Sequence, residues 1–267
     1  MSARPLVDRL ESRRLLAASL ASDGTLTVTG TPRHDAIGFT FDESGATLTV
    51  DVLTYGDSPA SVKNTFPASE VLRILVDAGD GDDNVSLYAQ TINGPHDFLT
   101  QPATLLGGAG SDGLSGGSGD DVIRCGSGGK DVARGNGGSD LIYGEGGSFD
   151  ILWGEGIQNG GGSGLNDTIY GGAGVDSIYG GPGNDELHGG SGGDELGGGV
   201  GNDRLYGDDG NDLLDGQSSG DRLFGGPGDD RLTGGSGRDL FSGGDGTDTA
   251  TDRTAGDEVS LVEQIGL

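Results

Sequence analysis

The chain has 267 residues, of which 59 are Gly, and its 43 acidic and 15 basic side chains give a formal net charge of −28. Only 31% of the residues are hydrophobic, against about 45–50% in ordinary globular domains, which excludes a conventional packed core of this length. The charge disfavours contact with nucleic acid phosphates, so we expect no nucleic acid partner.

The first 21 residues form a basic leader with four Arg residues by position 14. No run of 18 apolar residues follows, so no transmembrane segment is predicted. Residues 10–16 (LESRRLL) resemble the LEPR-XLL segment of some bacterial exported proteins, with Ser12 where that motif has Pro. We therefore interpret residues 1–21 as a disordered or export-related leader.

Residues 22–106 carry strand patterns rather than a regular repeat. Residues 25–29 and 47–52 alternate in the manner of strands, and residues 71–76 form an apolar run of β-formers. Asp83 and Val85, and Asp35 and Ile37, mark two imperfect copies of the nonapeptide found further along the chain. This region is predicted to be an irregular β start of a solenoid.

From residue 171 to residue 251 the chain divides into nine consecutive nonapeptides. All nine have Asp at the sixth position, and eight have a large apolar residue at the eighth, the ninth having Ala250. The register extends back to residue 107 through six further units, three of them with ten residues, and residues 154–160 interrupt it. Such a fixed period indicates a repeat architecture over residues 107–251.

Each unit combines a tight turn with a short strand. Positions 1–6 (G-G-x-G-x-D) form the turn, in which Gly tolerates positive φ. Positions 7–9 are predicted to form a three-residue strand whose central apolar residue points inward. Stacking many units therefore builds a core that one unit cannot make. Residues 252–267 are predicted to cap the stack.

The sixth-position Asp residues would stack into columns of like charge, which requires a counter-ion. Ca²⁺ takes six to eight oxygen ligands from carboxylates and backbone carbonyls, both of which these turns supply. The single Cys125 and the three scattered His residues disfavour zinc or copper. Mg²⁺ fits less well because it demands a tighter octahedron and retains water.

The pattern G-G-x-G-x-D-x-U-x resembles the RTX (hemolysin-type) calcium-binding nonapeptide repeat, over at least 145 of the 267 residues. The resemblance implies an all-β, right-handed parallel β-roll with two units per 18-residue coil. It also implies that Ca²⁺ lies between turns n and n+2, which gives about seven or more ions for nine uninterrupted turns.

The resemblance identifies the Asp side chains at position 6 as the metal ligands. In the regular array these are Asp176, Asp185, Asp194, Asp203, Asp212, Asp221, Asp230, Asp239 and Asp248. In the less regular units they are Asp112, Asp121, Asp131, Asp140, Asp150 and Asp167. The ten-residue units are expected to disturb their turns, and Gln217 and Ser219 are expected to weaken the turn of Asp221.

Position 9 faces outward and places Tyr170, His188, Tyr206 and Phe224 in one column at 18-residue intervals. One interpretation is stacking that stiffens the sheet. The other is a contact surface for a glycan, a matrix component or a cell-surface protein.

Three functions are therefore compared. The first is a secreted or cell-surface calcium-binding roll that folds on binding Ca²⁺ and is not an enzyme. The second is an adhesin or extracellular-matrix component that uses the aromatic column. The third is an enzyme with its catalytic residues in residues 22–106, where no catalytic constellation is recognisable. All three place the protein outside the cell or at its surface.

Overall fold

The computed structural model describes residues 17–42, 44–55, 60–91, 97–155, 165–251, 256–260 and 264–265. The segment that resembles LEPR-XLL lies outside the described residues, as do most of the basic leader and most of the interruption at 154–160. No helix in these ranges could cross a membrane. Their one helical element is the 3₁₀ turn Ala68–Glu70.

Twenty-six strands make up the described fold. The N-terminal strands are β1 (Ala17–Leu20), β2 (Thr25–Thr29), β3 (Asp35–Phe41), β4 (Thr47–Thr54), β5 (Ala60–Pro67), β6 (Arg73–Asp80), β7 (Asn84–Thr91) and β8 (Asp97–Phe98). The repeat region and C-terminus contain β9 (Ala103–Ala109), β10 (Gly113–Ser115), β11 (Val122–Ser127), β12 (Val132–Asn136), β13 (Leu141–Gly146), β14 (Ile151–Glu155), β15 (Thr168–Ala173), β16 (Ser177–Pro182), β17 (Glu186–Ser191), β18 (Glu195–Val200), β19 (Arg204–Asp209), β20 (Leu213–Ser218), β21 (Arg222–Pro227), β22 (Arg231–Thr233), β23 (Leu240–Asp245), β24 (Thr249–Thr251), β25 (Glu258–Ser260) and β26 (Gln264–Ile265).

Alternate strands belong to two sheets, as the predicted β-roll requires. The first sheet runs β1-β2-β6-β9 and then through the odd-numbered strands from β11 to β25. The second runs from β26 through the even-numbered strands to β10 and continues through β7, β3, β4 and β5. Neighbouring strands of the repeat region are parallel, which confirms the predicted all-β parallel roll.

In the regular array the register between neighbouring strands is 18 residues. Ser177 pairs with Glu195, and Ile178 pairs with Leu196, so two units complete one coil. The strands are longer than the three residues predicted, since most contain six and extend into positions 1–3 of the next unit. The inward-facing residue at position 1, such as buried Gly180, allows the extended backbone to continue past the apolar position.

The core is a double ladder of the position-8 residues. In the regular array Ile178, Leu187, Leu196, Leu205 and their successors through Ala250 are 0% exposed. Burial of a Leu or Ile side chain contributes about 1.5–3 kcal/mol relative to exposure. One such residue per strand thus gives the coil its apolar interior, which a single unit could not form.

The N-terminal strands join the same two sheets. β6 pairs in parallel with β9, and β7 pairs in parallel with β10. β3, β4 and β5 form an antiparallel meander that extends the second sheet beyond β7. The ends of β2 agree with the predicted strand at residues 25–29.

The turn that contains Ser219 holds non-glycine residues in the left-handed region. Gln217 has φ 70° and Ser219 has φ 89°, a conformation that costs an L-residue about 1–2 kcal/mol. We expect Ser219→Gly to raise the free energy of unfolding by about 0.5–1 kcal/mol, after the extra chain entropy of Gly is subtracted. Denaturant unfolding in saturating calcium measures this change in the free energy of unfolding.

The neighbouring Ser218 provides the control for this substitution, because it ends β20 and its φ is not positive. Ser218→Gly should lower the free energy of unfolding by about 0.5–1 kcal/mol. Equal losses in both variants would show that the left-handed backbone at Ser219 carries no strain.

Candidate metal sites

All fifteen predicted ligand Asp residues are buried, with at most 3% of each residue exposed. They lie where a turn passes from one sheet to the other, and they form two columns. The turns that lead into the second sheet contain Asp112, Asp131, Asp150, Asp176, Asp194, Asp212, Asp230 and Asp248. The turns that lead into the first sheet contain Asp121, Asp140, Asp167, Asp185, Asp203, Asp221 and Asp239.

One hydrogen bond links each Asp to the next member of its column. The backbone N–H of Asp176 donates to Oδ1 of Asp194 at 2.8 Å, and the N–H of Asp194 donates to Oδ1 of Asp212 at 2.8 Å. The second column repeats this contact, for example from Asp185 to Asp203 at 2.9 Å. One carboxylate oxygen of each Asp therefore positions the backbone of the preceding coil.

The other carboxylate oxygen is buried and unused in most of these turns. Oδ2 has no hydrogen-bond partner among the described residues in thirteen of the fifteen predicted ligands. These are Asp112, Asp131, Asp140, Asp150, Asp167, Asp176, Asp185, Asp194, Asp203, Asp212, Asp221, Asp230 and Asp248. Asp121 differs, because its Oδ2 accepts the N–H of Gly117 at 2.7 Å.

Backbone carbonyls converge on the same places. A Cβ built on Gly189 would lie 2.5 Å from Oδ2 of Asp194 and 2.5 Å from the carbonyl oxygen of Gly207 in the next coil. A Cβ built on Gly207 would lie 2.5 Å from the carbonyl oxygen of Gly225. The absence of a side chain at position 1 thus leaves space lined by a carboxylate oxygen and a carbonyl oxygen.

Burial raises the pKa values of carboxyls in both columns. Desolvation is the main cause, and neighbouring carboxylates of the same column act in the same direction. The pKa of Asp140 rises to about 9, that of Asp167 to about 8 and that of Asp185 to about 7. When they are ionised, these buried side chains lower the free energy of unfolding of the metal-free fold.

The raised pKa values predict how the metal-free chain responds to pH. Below about pH 4 the carboxyls are protonated in both the folded and the unfolded chain, so they do not destabilise the folded state. Between about pH 4 and the folded-state pKa values, which reach about 9, the unfolded chain has lost these protons and the folded state still holds them. The stability of the folded state therefore falls as the pH rises through this range. In EDTA we expect more β-structure by circular dichroism at about pH 4.5 than at about pH 8.

Saturating calcium is the control for this pH series, because a bound cation favours the ionised carboxylates. The preference for acid should then disappear. A metal-free chain that is more structured at the higher pH would contradict the assignment of these carboxyls as the destabilising groups.

The donor set fits calcium better than a soft metal. Among the described residues, no three His, Cys, Asp or Glu side chains gather closely enough to hold an ion by themselves. An ion in these turns must therefore take a share of its ligands from backbone carbonyls. A mixed set of carboxylate and carbonyl oxygens suits Ca²⁺, whereas zinc and copper favour side-chain nitrogen and sulfur.

The irregular units place their Asp residues as the regular ones do. The N–H of Asp131 donates to Oδ1 of Asp150 at 2.9 Å, although both lie in ten-residue units. Gly128 and Gly129, at φ 84° and 71°, accommodate the extra residue ahead of Asp131. The expected disturbance is thus confined to the turn backbone and does not reach the carboxylate.

Sequence reasoning omitted three Asp residues that extend the columns. The N–H of Asp35 donates to Oδ1 of Asp83, and the N–H of Asp83 donates to Oδ1 of Asp112. The N–H of Asp239 donates to Oδ1 of Asp257 at 3.0 Å. The sequence places Asp35 and Asp83 at the sixth position of imperfect repeat copies, which is the signal for their place in the column.

The aromatic column is a continuous stack. Ring centroids are 4.7 Å apart between Tyr170 and His188, 4.5 Å between His188 and Tyr206, and 4.9 Å between Tyr206 and Phe224. Tyr143, which sequence reasoning missed, stacks on Tyr170 at 5.2 Å. The ring planes are within 16° of parallel, so the rings between the two ends have their faces against each other.

A family model described as the RTX calcium-binding nonapeptide repeat (four copies) matches the chain in five stretches. They are residues 104–124, 126–156, 161–196, 188–219 and 215–250, which together cover just over half of the sequence. No curated protein matches the chain.

Proposed function

This chain belongs to the RTX calcium-binding nonapeptide repeat family, and from that premise we propose that it is an exported β-roll that folds on binding Ca²⁺. Its role is structural and non-enzymatic. The observation that carries the proposal is the row of buried Oδ2 atoms without a hydrogen-bond partner among the described residues. Buried carboxylates of this kind require a cation or a proton.

The proposed ligands are the fifteen predicted Asp side chains together with carbonyl oxygens of the turns. The ion supplies positive charge and accepts several oxygen ligands at once. The Asp residues hold it with the oxygen that does not accept the N–H of the preceding coil, as Asp194 does between Gly189 and Gly207. The same residue thus fixes the backbone and binds the metal.

Coupling of folding to calcium explains the composition. At −28 the metal-free chain repels itself, and its turns bring carboxylates together in dry columns. Binding free energy for a site that the unfolded chain lacks becomes folding free energy. A chain of this kind stays unfolded where calcium is scarce and folds after export to the outside of the cell or its surface.

The proposed organisation follows the sequence divisions. Residues 107–251 form the calcium-binding roll, residues 22–106 start the solenoid, and residues 252–267 cap it. The cap is supported by β25 and β26, which are the C-terminal edge strands of the first and the second sheet.

A calcium titration with a bound-metal count tests the proposal. We expect about seven or more Ca²⁺ ions per chain and no comparable uptake of Mg²⁺ at equal concentration. Asp194→Asn should reduce the count, whereas Asp51→Asn should not, because Asp51 is a partly exposed partner of Lys63 outside the columns. A wild-type chain that binds no calcium would exclude the proposed function.

Adhesion through the aromatic column is the second candidate. It is favoured by one observation, the unbroken line of partly buried rings from Tyr143 to Phe224 on the outer side of one sheet. The stacked faces leave mainly ring edges for a partner, so a role in stiffening the sheet is better supported. A glycan that binds by stacking on ring faces fits this surface poorly.

The double variant Tyr206→Ser and Phe224→Ser distinguishes the two roles. Loss of the stacked pairs should lower the free energy of unfolding in saturating calcium by about 1–3 kcal/mol. Tyr55→Ser, which changes an exposed aromatic residue in the N-terminal region, should have a much smaller effect. Unchanged stability together with loss of binding to cells or polysaccharide would instead favour the adhesin.

The non-enzymatic proposal also assigns a structural role to the one His described in residues 22–106. Nδ1 of His34 lies 3.1 Å from the carbonyl oxygen and 3.2 Å from the backbone nitrogen of Asp82. His34 therefore joins two stacked turns at the surface, which is a packing contact rather than catalytic chemistry.

A further inference from the structure

The column that contains Asp112 continues beyond the residues that the family model matches. The N–H of Asp83 donates to Oδ1 of Asp112 at 2.8 Å, and the N–H of Asp35 donates to Oδ1 of Asp83 at 2.7 Å. This is the contact that joins Asp176 to Asp194 within the regular array. The two added steps span 29 and 48 residues instead of 18.

The turn at residues 78–83 has the backbone of a repeat turn. Gly79 and Gly81 have φ values of 110° and 128°, beside 107° and 142° for Gly190 and Gly192. The nonapeptide register places both pairs at positions 2 and 4. The turn therefore directs its peptide groups as the repeat turns do, although it has Ala78 at position 1.

Carbonyl oxygens of the preceding turn face this backbone closely. A Cβ on Gly79 would lie 2.5 Å from the carbonyl oxygen of Thr31, and a Cβ on Gly81 would lie 2.6 Å from that of Arg33. A Cβ on Gly30 would meet the carbonyl oxygen of Ala78 and would lie 2.8 Å from Oδ2 of Asp35. Gly30, at position 1 of this first turn, therefore lies beside one carboxylate oxygen and one carbonyl oxygen, as Gly189 does in the regular array.

Both added carboxylates are buried and incompletely satisfied. Asp35 is 1% exposed and Asp83 is 3% exposed. Oδ1 of Asp35 and Oδ2 of Asp83 have no hydrogen-bond partner among the described residues. The turn of Asp35 differs from the regular turns, because Oδ2 of Asp35 accepts the N–H of Thr31, as Oδ2 of Asp121 accepts the N–H of Gly117.

We propose that Ca²⁺ binds at two further sites, one between the turns of Asp35 and Asp83 and one between the turns of Asp83 and Asp112. The inference rests on the proposed function and extends it to residues outside the matched repeats. Calcium would then fasten the antiparallel meander β3–β5, which is inserted between these turns, to the roll. The N-terminal region becomes a calcium-dependent part of the solenoid.

Asp83→Asn in the full-length chain tests the proposal, because Asp83 serves both sites. Asn keeps an Oδ1 acceptor for the N–H of Asp35 but loses the charge. We expect about two fewer bound Ca²⁺ ions per chain than in the wild type. Asp51→Asn has the same charge change at a partly exposed position outside the columns and should retain the wild-type count.

Hydrogen exchange in saturating calcium gives a second measurement. In the wild-type chain the amides of β2 and β6 should be protected, because the two proposed ions hold their turns to the roll. In Asp83→Asn this protection should be reduced in β2 while that of β17 and β19 remains. If Asp83→Asn does not fold, Asp35→Asn replaces it. This variant removes charge from the first site only, so the bound count should fall by about one ion, and an unchanged count would contradict that site.

Two results would overturn the proposal. One is an Asp83→Asn chain that folds and binds as many Ca²⁺ ions as the wild type. The other is protection of β2 in Asp83→Asn that equals the wild-type protection in saturating calcium. Neither would affect the proposed function if Asp194→Asn still lowers the count, whereas a wild type without bound calcium would remove both.

Discussion

Chelation of calcium with EDTA at neutral pH is expected to unfold the roll. Thirteen predicted ligands have a buried Oδ2 without a hydrogen-bond partner among the described residues, and desolvation raises carboxyl pKa values in both columns. Without a cation each ionised side chain destabilises the stacked turns. Circular dichroism should therefore show loss of the β-signal in EDTA and its return when excess calcium is added.

Two controls separate metal binding from general screening of charge. Sodium chloride screens exposed charges, but it should not restore the β-signal, because buried columns need direct ligation. Mg²⁺ at the calcium concentration should restore less of the signal, since it demands a regular octahedron. A chain that keeps its full β-signal in EDTA would show that packing of the aliphatic ladder alone holds the roll.

The periodic features of the fold could be predicted because each repeat faces the same physical problem. A strand with one apolar residue has no core alone, so the eighth-position residues had to stack, and Ile178 and Leu196 do lie side by side in the register. The 18-residue coil follows from alternate strands that belong to opposite sheets. Sequence spacing predicted the apolar ladder, whereas the coil of two units was implied by the resemblance to the RTX repeat.

Features that depend on unequal spacing could not be predicted in this way. Asp83 follows Asp35 in the column after 48 residues, because β3, β4 and β5 are inserted between their turns. Tyr143 stacks on Tyr170 after 27 residues, because two ten-residue units and the interruption at 154–160 make up this coil. In both cases the backbone pairing, and not the sequence interval, sets which side chains meet.

The sequence predicted three-residue strands, and most strands of the repeat region contain six. Gly192 illustrates the physical reason. Position 1 continues the strand, so the chain bend is concentrated at positions 2 and 4, where adjacent coils lie in contact. Gly192 has φ 142°, and a Cβ there would overlap the carbonyl oxygen of Gly174 in the preceding coil. The glycine at position 4 thus allows one coil to approach the next.

Gly192→Ala is therefore expected to destabilise the roll severely. The added methyl group meets backbone rather than a movable side chain, and the backbone angle is one that Ala rarely adopts. We expect the free energy of unfolding in saturating calcium to fall by about 3 kcal/mol or more. Denaturant unfolding measures this loss, and the calcium concentration needed for half-maximal folding should rise with it.

Gly193→Ala is the matched control, one residue away in the same turn. Gly193 does not have a positive φ, and the nearest atom to its built Cβ is the carbonyl oxygen of Asn211 at 3.2 Å. Its cost should stay within about 1 kcal/mol, because only a small adjustment of one neighbour is needed. Equal effects of the two substitutions would mean that close approach of the coils at position 4 does not limit stability. A large difference would locate that limit at the stacked turns, where the proposed calcium ligands also lie.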